Sequence, residues 1–274
     1  MEVFGIDISK YNGNINFAKV KNAGKSFVII KGTQKDNKVE PSFEGNYVGA
    51  IAAGLDVGVY RYVYAKDVNS AQAEANALAK ILKGKNIKCG VWLDMEDDSI
   101  KRLGKSVLTA IINTEAAILS AAGFGVGVYC NRDWYYNVLD RNILKSKYPF
   151  WIARYPSSDT GAYNSKSSLN PKEYAAIWQY SSKGKVNGIS GSVDLNVAFQ
   201  DPKTLFKGES TIYYPKYTGT TDSIVKALEA VGEKDTSLAN RKKIGITNGI
   251  GGVGTAEGNT QMLKLLKNGK LKKI

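Results

Sequence analysis

Two carboxylates, Asp94 and Glu96, stand two positions apart in the segment Gly90-Val91-Trp92-Leu93-Asp94-Met95-Glu96-Asp97 of a 274-residue chain with no histidine. Side chains alternate faces along a strand, so a strand here turns Val91, Leu93 and Met95 one way and Trp92, Asp94 and Glu96 the other. One face is then core, and the other holds two acids beside an indole. Without histidine there is no Ser-His-Asp or Cys-His nucleophile and no histidine-ligated zinc, which leaves carboxylate acid/base chemistry as the leading catalytic option. Glycoside hydrolysis fits it: one carboxyl protonates the leaving oxygen, and a second group stabilises or traps the oxocarbenium-like centre. Two plainer readings stand beside this one. The pair could serve salt bridges or helix caps, or Asp7, Asp94, Glu96 and Asp194 could hold a hard cation, although no loop has EF-hand spacing.

The elements that must carry these acids follow from the hydrophobic rhythm. Up to about residue 200, short β-rich runs alternate with helical stretches, the pattern of parallel βα units. Strands are expected over 4–9, 27–32, 57–65, the segment with Asp94 and Glu96, and 126–131. Helices are expected over 15–23, 43–53, from a cap at Ser70, over 106–122, and near 134–144. Three further strands, 150–155, 175–181 and 193–198, follow without helical connections. Five βα units and three strands close an irregular barrel, whose chemistry collects at the carboxyl ends of the strands. Asp7, Tyr62, Glu96, Tyr129, Tyr155 and Asp194 are all expected toward those ends. Aromatics able to stack on sugar rings, Tyr60, Tyr62, Tyr64, Tyr129, Trp151, Tyr155, Trp178 and Tyr180, make the carbohydrate reading stronger than any one of them does alone.

Composition sets the remaining bounds. A hydrophobic fraction of 43% suits a globular core, and the net charge of +13 suits an anionic partner: nucleic acid, anionic lipid or an acidic wall polymer. The start, Met1-Glu2-Val3-Phe4-Gly5-Ile6-Asp7, enters a strand at once, so no secretory signal is expected. Cys89 and Cys130, placed at opposite ends of their strands, are read as structural thiols rather than a disulfide. The polar stretch 201–212, with Pro202 and Gly208, reads as a linker after a barrel of residues 1–200. Residues 213–274 then form a small module with helices from Asp222 or Ser223 to Ala230, from Ser237 toward Ile246, and from Thr255 to Asn268. From Lys207 onward twelve Lys or Arg face six Asp or Glu.

Nine ordered blocks in residues 1 to about 200 resemble glycoside hydrolase family 25, the Chalaropsis-type lysozymes of phage and bacteria. They are Gly5-Ile6-Asp7-Ile8-Ser9, Val28-Ile29-Ile30-Lys31, Pro41-Ser42-Phe43, Gly58-Val59-Tyr60-Arg61-Tyr62, Trp92-Leu93-Asp94-Met95-Glu96, Gly127-Val128-Tyr129, Trp151-Ile152-Ala153-Arg154-Tyr155, Ile177-Trp178-Gln179-Tyr180 and Val193-Asp194-Leu195-Asn196. The resemblance implies an α/β fold, a TIM-like (β/α)5(β)3 barrel, here with a small C-terminal α/β or mainly helical domain. It also implies cleavage between N-acetylmuramic acid and N-acetylglucosamine in peptidoglycan. By position, Glu96 resembles the family's general acid, and Asp94 the group that orients the 2-acetamido or stabilises positive charge. Asp7 and Asp194 complete the acidic cluster; Tyr60, Tyr62, Tyr129, Trp151, Tyr155 and Trp178 are the implied substrate contacts. Net retention through the acetamido oxygen is preferred, with a covalent carboxylate nucleophile left open. Asn12, where glutamine is common, and Gly32-Thr33-Gln34-Lys35 depart from the pattern.

The tail resembles small modules at the ends of clostridial and bacillar wall-lytic enzymes. That implies wall binding, with Arg241, Lys242 and Lys243 against an anionic or neutral polymer of a Gram-positive host. The sum of these readings is a two-domain endolysin held in the host cytoplasm until a holin-type lesion releases it to the wall. No cofactor, metal, nucleic acid or stable membrane insertion is expected, and a homo-oligomer stays open. The rivals are an N-acetylhexosaminidase of chitinase type and a non-catalytic glycan or wall binder on the same barrel.

Overall fold

The computed structural model describes residues 1–206 and 213–273, which fall into two compact units divided between Lys207 and Gly208. In the first unit eight strands close a barrel in sequence order: β1 (Val3–Ile8), β2 (Phe27–Lys31), β3 (Asp56–Tyr62), β4 (Val91–Asp94), β5 (Val126–Asn131), β6 (Phe150–Ala153), β7 (Ile177–Gly184) and β8 (Val193–Ala198). Strands β1 to β7 pair in parallel; β8 pairs antiparallel with both β7 and β1. The parallel part requires crossovers, supplied by α1 (Phe17–Asn22), α2 (Phe43–Ala52), α3 (Val68–Leu82), α4 (Lys105–Ala121) and α5 (Arg141–Leu144). Strand β6 reaches β7 through the irregular segment 154–176.

Capping chemistry sets the helix ends. Helix α3 is capped by Asp67, whose Oδ1 accepts from the Ser70 amide at 2.8 Å, so Ser70 is the reciprocal member of a capping box and not the cap. The stretch expected as one helix over 134–144 is a π turn (Trp134–Val138) followed by α5, because Asp140 starts a new helix by accepting from the Ile143 amide. On α4, Leu108, Ile111, Ile112 and Leu119 form the buried stripe.

Both faces of β4 are buried, as in any parallel barrel whose outside is covered by helices. Val91, Leu93 and Met95 join the outer core between strands and helices, and Trp92 joins the interior with Phe27, Ile29, Tyr129, Trp151 and Ile177. The interior is a column of aromatics. Phe206 closes the amino-terminal end, its ring 5.4 Å from Trp92; Trp92 lies 5.9 Å from Trp151, and Trp151 4.4 Å from Tyr129, centroid to centroid. Only glycine fits where Phe206 enters: a Cβ added at Gly90 or at Gly125 would fall 2.1 Å from a Phe206 atom. Residues 201–206 therefore belong to the barrel and are not linker. Pro202–Thr204 form a 3-10 turn capped by Asp201, and Leu205 packs beside Phe206. The rest of the expected linker, 207–212, lies outside the described residues. Cys89 and Cys130 are buried free thiols on opposite sides of the barrel wall.

The second unit packs α6 (Ile224–Ala230), α7 (Leu238–Thr247) and α8 (Ala256–Lys267) around Leu228, Ile244, Met262, Leu263, Leu266 and Tyr214, with a lone antiparallel bridge between Tyr213 and Lys272. Ser223, Ser237 and Thr255 cap the three helices. Among the described residues no helix is long and apolar enough to cross a membrane.

Candidate active site

Asp7 on β1, Asp94 at the last position of β4, and Asp194 on β8 all come to one end of the barrel, and Glu96 follows Asp94 just past the strand. Asp194 does not sit at a strand's carboxyl end. It lies near the amino end of β8, and reaches the others because β8 runs antiparallel, which places it directly opposite Asp7 in register. Tyr62 and Tyr129 flank Asp94 on β3 and β5 at matching register.

A hydrogen-bonded relay holds Asp7. Its Oδ2 accepts from Asn196 Nδ2 at 2.8 Å and from Gln179 Nε2 at 2.9 Å; Gln179 Oε1 in turn accepts from the Tyr129 hydroxyl at 2.8 Å and from the Tyr155 hydroxyl. Asn196 Oδ1 accepts from the Trp151 indole at 2.8 Å, tying the acids to the aromatic column below. Burial, and then the charge of Asp194, push the Asp7 carboxyl well above the aspartate range, while Asp194, also raised by burial, is pushed up to about 6. The two face each other in register, and burial favours the proton on Asp7, the more deeply buried member. Burial also raises Glu96, with Asp194 adding to the shift and Lys31 opposing it. A carboxyl in that position keeps a proton toward neutral pH, as a general acid must.

Asp94 is the least comfortable group. Burial first, and the neighbouring Glu96 second, raise it well above an ordinary aspartate, and its Oδ1 is buried without a hydrogen-bond partner among the described residues. An atom left so costs stability until something binds it. The folded chain binds this proton more tightly than the unfolded one, so the stability it confers is present at low pH and lost as pH rises past the ordinary value of 3.8. Asp94→Asn is therefore expected to raise the thermal midpoint at pH 7 while crippling activity, the gain fading toward about pH 4. Midpoints of the two proteins that stay parallel from pH 4 to 7 would rule this out.

The aromatics divide. Tyr60, Tyr62 and Tyr155 line the acid end; Tyr155 is the most open at 38% exposure. Tyr129 is buried at its edge. Trp151, 1% exposed, lies beneath the acids as part of the column, so it supports the floor and offers no face to a sugar. Trp178 points away from the interior. It packs against Tyr163 and Tyr180 in the outer core, its indole donating to the Arg154 carbonyl, because its neighbour Gln179 is the inward residue. In the second unit Lys242 and Lys243 are exposed, but the Arg241 guanidinium donates to Thr236 O and Asn259 Oδ1 and is spent holding that unit together.

Three members of the site were not singled out from sequence. Gln179 and Asn196 share their strands' inward face with the acid end, and Asn196 is two positions from Asp194, so the alternation used for Asp94 also reaches it. Lys31 ends an apolar strand, its ammonium 5.8 Å and 5.4 Å from the Tyr60 and Tyr62 ring centroids. A charge closing such a strand was the available signal.

Residues 6–189 match the model of the family described as Glycosyl hydrolases family 25. The chain belongs to this family. The Autolytic lysozyme of Clostridium acetobutylicum is 30% identical over 227 residues, covering 82% of this chain and 63% of that protein, so the match spans just under two thirds of the relative's length. The crystal structure of the bacterial lysozyme from Streptomyces coelicolor superposes with a TM-score of 0.60 at 30% identity, over 74% of this chain and 95% of that one. The CTP1L endolysin structure gives a TM-score of 0.60 at 28% identity, over 77% and 71% of the two chains. Asp194 and β8 lie beyond the family match, and their place in the site rests on the barrel register alone.

Proposed function

We propose that the chain is a phage-type endolysin, an N-acetylmuramidase that hydrolyses the β-1,4 bond between N-acetylmuramic acid and N-acetylglucosamine in Gram-positive peptidoglycan and so lyses the host. The observation that carries this reading is the meeting of Asp7, Asp94, Glu96 and Asp194 at one end of the barrel, with Glu96 half-open to solvent and raised by burial. Glu96 protonates the glycosidic oxygen as the bond to the muramic acid breaks. Asp94, whose Oδ1 has no hydrogen-bond partner among the described residues, accepts from the substrate's acetamido N–H and turns its carbonyl oxygen onto the anomeric carbon as the leaving group departs; a water deprotonated by the now ionised Glu96 then displaces that oxygen, giving net retention. Asp194 faces Asp7 across the β1–β8 register, and its charge favours the proton on Glu96 until transfer. Digesting purified walls and identifying the fragments by mass spectrometry tests the reading: reducing-end muramic acid is expected. Reducing-end glucosamine would indicate a glucosaminidase, and no release a non-catalytic binder.

The second unit is proposed to hold the enzyme on the wall through a polymer that Lys242 and Lys243 help to meet, with release from the host cytoplasm through a holin-type lesion. No metal or cofactor enters the proposed mechanism. Residues 1–207 alone are expected to cleave soluble glycan fragments at the parent rate, since every proposed catalytic group precedes the division. Whole-cell lysis should fall by at least ten-fold, because a second point of attachment can raise overall avidity for the wall by about 10²–10⁴ in favourable geometry. Turbidity loss with whole cells and reducing-sugar release from soluble fragments separate the two effects. Equal lysis by both forms would leave the second unit without a targeting role.

A further inference from the structure

Beside the acids, the outer wall of the cleft carries a second pattern. Tyr60, Tyr62 and Tyr64 follow at period two, and the Tyr62 and Tyr64 rings lie 4.8 Å apart, so the phenols climb outward from Asp94, the register partner of Tyr62. Each outer phenol carries an ammonium: Lys31 over Tyr62 at 5.4 Å, and Lys35 over Tyr64 at 4.9 Å. Neither lysine has a carboxylate within 4.0 Å among the described residues. In the same hairpin Lys38 does, pairing with Asp36 at 2.8 Å. The charge of Lys35 is thus held in place by an aromatic face and left open to solvent.

The hairpin that presents it is built with unusual care. Thr33 and Val39 form an antiparallel bridge, the Gln34 amide donates to Lys38 O at 2.8 Å, and Asn37 makes the turn at φ +65°. From beneath, the fully buried Arg61 donates to Thr33 Oγ1 at 2.7 Å and to Asn37 Oδ1 at 2.6 Å. Glu74 accepts from Arg61 Nε at 3.0 Å with the same Oε2 that accepts from the Tyr64 amide at 3.3 Å. One buried ion pair therefore fixes both the lysine's loop and the tyrosine it covers. Fixing a contact in its bound geometry lowers the entropy lost on binding.

We propose that Lys35 and Tyr64 form a subsite for a carboxylate of the peptide stem carried by the muramic acid residue, so that the enzyme prefers stem-bearing glycan to bare glycan. The inference rests on the muramidase reading. A muramic acid held at the acids projects its lactyl-linked peptide away from the cut bond, and the ladder of phenols leads outward to an ammonium ready to donate to an anionic acceptor.

The test compares glycan strands bearing intact stems with the same strands stripped by an amidase, following initial reducing-end release by the full chain. Lys35→Ala is expected to lower kcat/KM on stem-bearing strands about five-fold, the scale of a partly exposed charge contact, and to leave stripped strands unchanged. Lys35→Arg should keep the preference, and Lys35→Glu should reverse it. Lys35 is exposed, so an unchanged melting temperature will show that the variants fold. Equal losses on both substrates, or none on either, would overturn the subsite and leave the muramidase standing. No release from either substrate by the parent protein would overturn both.

Discussion

Glu96→Gln is expected to abolish wall hydrolysis, lowering the rate by about 10²–10⁴, while leaving the fold and wall binding intact. The amide keeps the shape of the side chain but has no acidic proton to give the leaving oxygen. Glu96 is half-buried and accepts no hydrogen bond from the described residues that the amide would forfeit. Reducing-end release from purified walls, with a sedimentation assay for binding, measures both halves of the expectation. Lysis above about a tenth of the parent rate would remove Glu96 from the role of acid.

The second large effect is on stability. Arg61→Ala is expected to destabilise the barrel by about 3–5 kcal/mol, since removing one partner strands the others in the interior. Arg61 is fully buried and pairs with Glu74 at 3.0 Å; Glu115, 4.0 Å away, has neither carboxyl oxygen hydrogen-bonded among the described residues, and burial pushes it well above the glutamate range. At roughly 2–4 °C per kcal/mol, the midpoint should drop by about 10 °C. Denaturant melts of Arg61→Ala and of a combined Arg61→Met, Glu74→Leu, Glu115→Leu chain separate the causes. The combined chain should recover much of the loss, as apolar replacement of a whole buried ion cluster often does. A loss below about 1 kcal/mol for Arg61→Ala would mean that the cluster is not holding β3, α3 and α4 together.

The barrel was legible because its signals are local and repeated: short β-rich runs, each followed by an amphipathic stretch, and an alternation that set Asp94 apart from Leu93 and Met95. What escaped depended on depth or direction across the sheet. Trp151 and Trp178 belong to strands read correctly, yet one is the floor and the other faces outward, since an indole's type does not say how far down a barrel it sits. Asp194 reaches the acid end from the amino end of its strand, and nothing in the residues of β8 says that it runs against its neighbours. Arg61 lay unremarked between Tyr60 and Tyr62, although an arginine on the outward face of a barrel strand must find acids on the covering helices. Ser70 resembles a cap in sequence because Asp67, three positions earlier, forms the same box with it. Charge alone groups Arg241 with Lys242 and Lys243, and only its environment tells a ligand contact from an internal brace.

The plug made by Phe206 bears on how such enzymes are recombined. Composition places the edge of the barrel near residue 200, and a chimera joined there would leave Gly90 and Gly125 facing an empty socket and the Trp92 ring open to water at the base of the column that carries the acids. The chain that leaves the barrel thus doubles as its stopper. A foreign module joined after Phe206 inherits a sealed barrel; one joined before it inherits a leaking one. Exchange of modules in this architecture is free only on the far side of that single ring.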